Sequence, residues 1–196
     1  MHSRYDFLIF PTLETERLVL RQVRLADADD VFALRGDYAV TKLNFGSNYR
    51  SLNEARRLIV RMQDGFDTAS HMRFGITLRG EDRVIGLIGF NHFAFSDRRA
   101  SVGFDLRQSH WGQGIMPEAL NAVLDFGFAR VGLNRIEADC SIMNLGSQRV
   151  LQKCGFTYEG RQREQYFYDG TYYDLLLWSI LRREWDVRIN RANSRA

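Results

Sequence analysis

The chain has 196 residues, 45% apolar and 26% charged, with a net charge of +3, which is the composition of one soluble globular domain with a real core. No stretch approaches the roughly 20 apolar residues of a membrane span, and the start shows no small-residue cleavage pattern, so no membrane partner and a cytoplasmic location are expected. Cys140 and Cys154 form neither a disulfide framework nor a metal-ligand pattern, and the small arginine excess near the end lacks the interleaved aromatic residues of a nucleic-acid arm, so no stable nucleic-acid partner is expected.

Residues 1–14 read as a leader with room for a short edge strand. Residues 17–23 alternate apolar and polar side chains and predict the first strand. Residues 26–30 supply a cap and first-turn carboxylates for a helix with Val31, Phe32 and Leu34 on its apolar side, stopped near Gly36. Residues 41–49 read as a polar, aromatic loop. Ser51 and Glu54 make a capping box that opens a second helix through about Gln63, with Ala55, Leu58, Ile59 and Met62 inward. Residues 74–78 and 83–90 predict a hairpin turning at 79–82. Gly86 and Gly89 weaken its second strand and point to a bulge or a close backbone neighbour. Residues 96–99 turn the chain into a third antiparallel strand, 100–106, with Val102, Phe104 and Leu106 on one face.

That strand leads into Trp111, Gly112, Gln113, Gly114, Ile115 and Met116. Pro117 and Glu118 follow in the first turn of a helix with Leu120, Val123, Leu124 and Phe128 on its apolar face. Main-chain N–H groups of such a turn, with the positive helix end behind them, can seat phosphate oxygens. Side chains at Gly112 and Gly114 would hold phosphates away. The dinucleotide fingerprint needs glycine where Pro117 stands, and the nucleoside-triphosphate loop needs Gly-Lys-Ser/Thr; neither is present. An ordinary strand–helix connection has the same outline, so the turn alone leaves the choice open.

Residues 135–141 predict another strand. Residues 144–154 predict a short helix ended by Gly155. Residues 156–168 and 172–181 predict two strands joined by the Asp169-Gly170 turn, the last apolar and central. The order argues for an α+β fold: a single mixed, mostly antiparallel central sheet of about seven strands, flanked by about four helices. The domain spans 15–185, followed by a basic tail at 186–196.

Certain phrases stand at the joints of this order: Thr-Glu-Arg-Leu-Val-Leu-Arg at 15–21, Val102-Gly103-Phe104, Trp111-Gly112-Gln113-Gly114, Asn144-Leu145-Gly146-Ser147, Lys153-Cys154-Gly155-Phe156, and Tyr173-Asp174 with Trp178-Ser179. In order and spacing the chain resembles the GNAT superfamily of acetyl-CoA-dependent N-acetyltransferases. Within it, the chain most resembles the branch that acetylates N-terminal serine or alanine of ribosomal proteins. The resemblance implies that the amides of Trp111, Gly112, Gln113, Gly114, Ile115 and Met116 hold the pyrophosphate of coenzyme A. The motif expects a small residue where Met116 stands. The pantetheine arm would lie along Val102, Phe104 and Leu106, pairing with exposed backbone as another strand would.

Acyl transfer to an amine needs a base for the ammonium, a donor for the oxygen that gains charge, and a donor for the leaving sulfur. A backbone N–H near Val102 to Phe104 suits the oxygen. Many relatives carry a tyrosine for the sulfur; Leu151 stands at that position here. The branch uses a serine that corresponds to Ser147, which could otherwise satisfy backbone at a helix start. Asn144 caps that helix, contacts the arm, or does both. The base is open between His92, Asp105 and water. His110 could touch phosphate or solvent. Phe45, Tyr49 and Tyr166 could line an acceptor pocket or belong to the core. The acceptor is expected to be a primary amine, at a protein N-terminus or on a small molecule, and the protein a monomer or homodimer. A non-catalytic acyl-CoA sensor is the alternative that Met116 and Leu151 suggest.

Overall fold

A computed structural model describes residues 9–44, 46 and 48–194. The strands are β1 (Leu13–Glu14), β2 (Leu18–Gln22), β3 (Met72–Leu78), β4 (Gly86–Ala94), β5 (Arg99–Leu106), β6 (Arg135–Ser141), β7 (Thr157–Tyr168) and β8 (Thr171–Leu181). They form one sheet in the order β1-β2-β3-β4-β5-β6-β8-β7. Only the β5–β6 pair is parallel. The helices are α1 (Ala28–Arg35), α2 (Tyr38–Thr41), α3 (Leu52–Asp67), α4 (Ile115–Asp125), α5 (Leu145–Lys153) and α6 (Arg182–Asn193). The α+β class is the expected one, with eight strands and six helices among the described residues instead of about seven and four.

The additional elements are those with weak periodicity. β1 is two residues long. α2 is a single turn, capped by the Asp37 carboxylate accepting from the Ala39 N–H at 2.8 Å. α6 replaces a solvated tail. Trp185 is buried and Ile189, one turn on, packs against the same core, while the Arg188 guanidinium donates to the Lys153 carbonyl at 2.6 Å. Two apolar side chains at i and i+4 hold an otherwise polar helix to the domain.

The two sheet faces carry separate cores. α1 and α3 cover one, with Val31, Leu34, Ile59 and Met62 packed on Val84 and Leu87. α4, α5 and α6 cover the other. The capping box is formed: the Glu54 carboxylate accepts from the Ser51 N–H at 2.9 Å. α3 runs past Gln63 because Phe66 is buried too, reaching the other core, where its ring lies 4.9 Å from that of Phe10. Gly86 and Gly89 do have close backbone neighbours. Added Cβ atoms would sit 2.6 Å from the Asp105 carbonyl oxygen and 2.1 Å from that of Met72. The bulge itself falls one residue later, between Phe90 and His92.

Two features of this frame position the site. α4 buries Ile115, Met116, Leu120, Val123 and Leu124. At about 1.5–3 kcal/mol for each large side chain, this fixes the glycine turn at the sheet's end. Also, β5 pairs with β6 only over residues 99–101 and 135–137. Beyond that the pairing stops, and a cavity opens between residues 102–105 and 138–141.

Candidate active site

The turn between β5 and α4 has the geometry its glycines imply. Gly112 has φ 76° and Gly114 φ 77°, in the left-handed region. Among the described residues, a Cβ at Gly112 would meet no atom within 4 Å, and one at Gly114 only the Arg17 guanidinium at 3.4 Å. The helical ladder starts with the Glu118 N–H donating to the Gly114 carbonyl at 3.2 Å. The N–H groups of Ile115 and Met116 therefore have no helical partner, and with the helix dipole they make an anion seat. The Trp111 Nε1–H donates to the Leu106 carbonyl at 2.8 Å, fastening the turn to the end of β5. Met116 is buried in the core, so its bulk is accommodated inward.

A clamp from the β1–β2 connection holds the turn. The Glu118 carboxylate accepts from the Thr15 hydroxyl at 2.6 Å, the Arg17 N–H at 2.9 Å and the Arg17 guanidinium at 2.6 Å. The same guanidinium donates to the Gln113 carbonyl at 3.0 Å. Burial alone would raise the Glu118 pKa, but these bonds outweigh it and hold the carboxyl below its ordinary value. A depressed folded-state pKa adds stability above the unfolded-state value, and that stability is lost as pH falls through the folded-state value. Glu118→Gln should therefore cost about 1 kcal/mol at neutral pH, discounted because Arg17 is half-exposed. The gap to the parent should close on acidification below the usual carboxylate range. Denaturant melts at several pH values read this; a gap that does not vary with pH would contradict it.

A cleft of about 480 Å³ lies against the turn. Phe104, Leu106, Trp111, Gly112, Gly114, Ile115, Met116, Asn144 and Ser147, nine of the residues expected to touch cofactor, line it. Val102 lines the neighbouring cavity instead. The Gln113 side chain turns back to donate to the Ser109 carbonyl at 2.9 Å and lines neither space. His110, Arg149 and Lys153 add basic groups to the cleft wall. Arg149 and Lys153 are exposed residues of α5; in the sequence they are indistinguishable from any solvated helix face.

Toward the split, β5 presents backbone that β6 does not pair past Ser101, and the Phe104 carbonyl there accepts from Asn44 Nδ2 at 3.4 Å. The Arg107 N–H donates to the Ile85 carbonyl at 2.9 Å. With the register Leu87↔Asp105 and Gly89↔Gly103, alternation directs the backbone groups of Asp105 and Gly103 at β4. Those of Val102, Phe104 and Leu106 face away from β4. The Leu106 carbonyl is taken by Trp111.

A second cavity, of about 230 Å³, fills the split. It shares Leu43, Asn44, Phe104, Asp105 and Ser147 with the cleft, so the two spaces meet there. A hydrogen-bonded chain crosses the junction. Arg35 on α1 donates to Asp105 Oδ2 at 2.9 Å, and Asn44 Nδ2 donates to Asp105 Oδ1 at 2.6 Å. Asn144 Nδ2 donates to Asn44 Oδ1 at 3.0 Å, and Asn144 Oδ1 caps α5 by accepting from the Ser147 N–H at 3.0 Å. Asn144 thus does the capping, and among the described residues the Ser147 hydroxyl has no hydrogen-bond partner. Leu151 is buried in the wall and offers no hydroxyl. Both oxygens of Asp105 are committed to Asn44 and Arg35.

His92 is exposed on β4 and lines neither space. Tyr166 is exposed on β7, and Tyr49 lies under Arg35 with the guanidinium 5.6 Å from its ring centre; neither lines the spaces. Phe45 falls outside the described residues. The residue pattern alone missed Asp139. It stands on β6, across the cavity from Asp105, with no side chain among the described residues bonded to its carboxylate. Asp139 opens to solvent at the cavity mouth, yet the protein packed around its carboxyl raises its pKa above the ordinary value. Cys140 also lines this wall. Burial pushes its thiol up to about 11 and that of Cys154 to about 12, so both stay protonated and inert near neutrality.

Comparison with known proteins agrees with this geometry. Residues 17–157 match the family model described as an acetyltransferase (GNAT) domain. The chain is 36% identical over 174 residues to YoaA of Bacillus subtilis strain 168, described as an uncharacterized N-acetyltransferase; the match covers 89% of this chain and 98% of that protein. The crystal structure of a GNAT-family acetyltransferase from Bacillus anthracis superposes with a TM-score of 0.79 at 25% identity, covering 89% of this chain and all of the other. A ribosomal L7/L12 alpha-N-protein acetyltransferase solved in complex with coenzyme A has the same fold, with a TM-score of 0.77 at 22% identity over 87% of this chain and 98% of its own.

Proposed function

The chain belongs to the GNAT acetyltransferase family, and from that premise we propose that it moves the acetyl group of acetyl-CoA to a primary amine at the junction of its two cavities. The observation that carries this is the meeting of the two spaces at Phe104, Asp105 and Ser147. The cleft beside the glycine turn takes the cofactor, and the cavity in the split takes the amine. Acetyl-CoA, when bound, supplies the acetyl group as an activated thioester.

Each protein group has one task. The N–H groups of Ile115 and Met116, with their neighbours in the turn, hold the diphosphate. Backbone groups of Val102 and Phe104 pair with the pantetheine arm and leave an N–H for the oxygen that gains charge. The unpaired Ser147 hydroxyl donates to the departing sulfur. Asp139 takes the proton of the incoming ammonium, because its raised pKa brings it closer to working pH and no cationic side chain among the described residues pairs with its carboxylate. Asp105, fixed between Arg35 and Asn44, orders the cavity wall.

Release of free thiol from acetyl-CoA, over a panel of small amines and of peptides beginning with serine or alanine, tests the activity. Turnover with at least one amine supports transfer. Tight binding with no thiol from any amine supports the sensor reading. Asp139→Asn should lower kcat about 100-fold. It should also abolish the part of the acidic fall in rate that follows protonation of Asp139. An unchanged pH–rate profile would remove Asp139 from the mechanism.

A further inference from the structure

The acceptor cavity carries a cation that the acetyl-transfer steps do not use. Arg73, on β3, lines the cavity and is 17% exposed. Its guanidinium donates to the neutral Asn91 amide oxygen. Its approach to Asp105 Oδ2 is long, 3.7 Å, because that oxygen already takes Arg35 at 2.9 Å. Asp105 Oδ1 is taken by Asn44. Two guanidinium groups therefore share one carboxylate, and Arg73 holds the weaker part. The site is built for this arrangement: Gly103 lies beneath Asn91, and a Cβ there would sit 2.5 Å from the Asn91 amide nitrogen. On the opposite wall stands Asp139, whose carboxylate no side chain among the described residues bonds.

The cavity thus has a cation on one wall and a carboxylate on the other. Its volume, about 230 Å³, lies below the roughly 300–1,000 Å³ usual for drug-sized ligands. We infer that the acceptor is a small zwitterion: a primary amine carrying a carboxylate or another anionic group a few bonds away. This rests on the acetyl-transfer reading above. The ammonium goes to Asp139 beside the thioester, and the anion meets Arg73 and Asn91. A polyamine brings several positive charges toward Arg35 and Arg73 and is disfavoured. A plain alkylamine fits but leaves Arg73 with only its weak share of Asp105.

The test compares matched acceptors by thiol release from acetyl-CoA. Glycine, β-alanine, aspartate and O-phosphoethanolamine are set against glycinamide, propylamine, spermidine and a serine-initiated peptide. The zwitterion with the best fit should exceed its counterpart lacking the anion in kcat/KM by about 10- to 100-fold, the range of one charge-assisted hydrogen bond. The carboxylate and phosphate arms identify which anion is preferred. Arg73→Gln should collapse that ratio through KM for the zwitterion, with KM for acetyl-CoA unchanged, and Arg73→Lys should restore part of it. Equal or better use of spermidine, of the amines that lack an anion or of the peptide overturns the zwitterion while leaving acetyl transfer standing. No thiol from any amine overturns both. The comparison within the parent protein needs no variant to fold.

Discussion

Replacing Gly114 with valine is expected to weaken coenzyme A binding by at least about 100-fold, as loss of two charge-assisted main-chain bonds would do. Gly114 has φ 77° and caps α4. A β-branched residue resists that conformation and tends to drag the helix start out of position. The displaced groups are the N–H donors that hold the diphosphate. Gly112→Ala guards against a variant that merely misfolds. Its added carbon meets no atom of the described residues within 4 Å, so the fold loses only about 1–2 kcal/mol from the left-handed backbone. In the cleft, that carbon takes space the phosphates need. Titration calorimetry with coenzyme A reads both variants. Parent-like affinity in the two folded proteins would move the phosphate site elsewhere.

Ser147→Ala is expected to lower kcat by about 100-fold, in the range of a single general-acid contribution, while the Kd for coenzyme A changes by less than about twofold. The expectation follows from a division of labour at the start of α5. Asn144 satisfies the helix, accepting from the Ser147 N–H at 3.0 Å, so the Ser147 hydroxyl is not needed as a cap. Removing it should leave the helix and its melting temperature nearly unaltered. Single-turnover kinetics, which separate chemistry from product release, read the effect. Parent-like kcat would exclude Ser147 from the chemistry.

The parts of this protein that were legible in its sequence are those that local chemistry specifies. The Ser51–Glu54 capping box forms as its spacing requires. The Asp169-Gly170 turn has φ 48° and 77°, as a two-residue hairpin between right-twisted strands demands. Gly112 and Gly114 adopt the left-handed conformations that mark a turn between strand and helix. Helix α6 was illegible because its apolar contacts amount to Trp185 and Ile189 in a run of charged residues. The short strand β1 and the one-turn α2 fall below the length at which periodicity carries information.

The acceptor cavity was illegible for a different reason. Arg35, Arg73, Asn91, Asp105 and Asp139 come from α1, β3, β4, β5 and β6. No spacing along the chain relates them; the sheet register brings the four strand residues together, and the packing of α1 on the sheet adds Arg35. Arg73 sits opposite Gly89 on the neighbouring strand, and the bulge after Phe90 adjoins Asn91. His92 is a candidate base by residue type alone, but it is exposed and lines neither space. Asp139 sat unnoticed in an alternating strand, where an outward carboxylate reads as solvated.

The most direct test is a crystal structure of the protein with coenzyme A. The diphosphate should lie within hydrogen-bond distance of the main-chain N–H groups between Gly112 and Met116. The sulfur should lie between Phe104 and Ser147, at the opening into the cavity beside Asp139. Coenzyme A bound away from the β5–α4 turn, or saturating coenzyme A that leaves the cleft empty, would contradict the account.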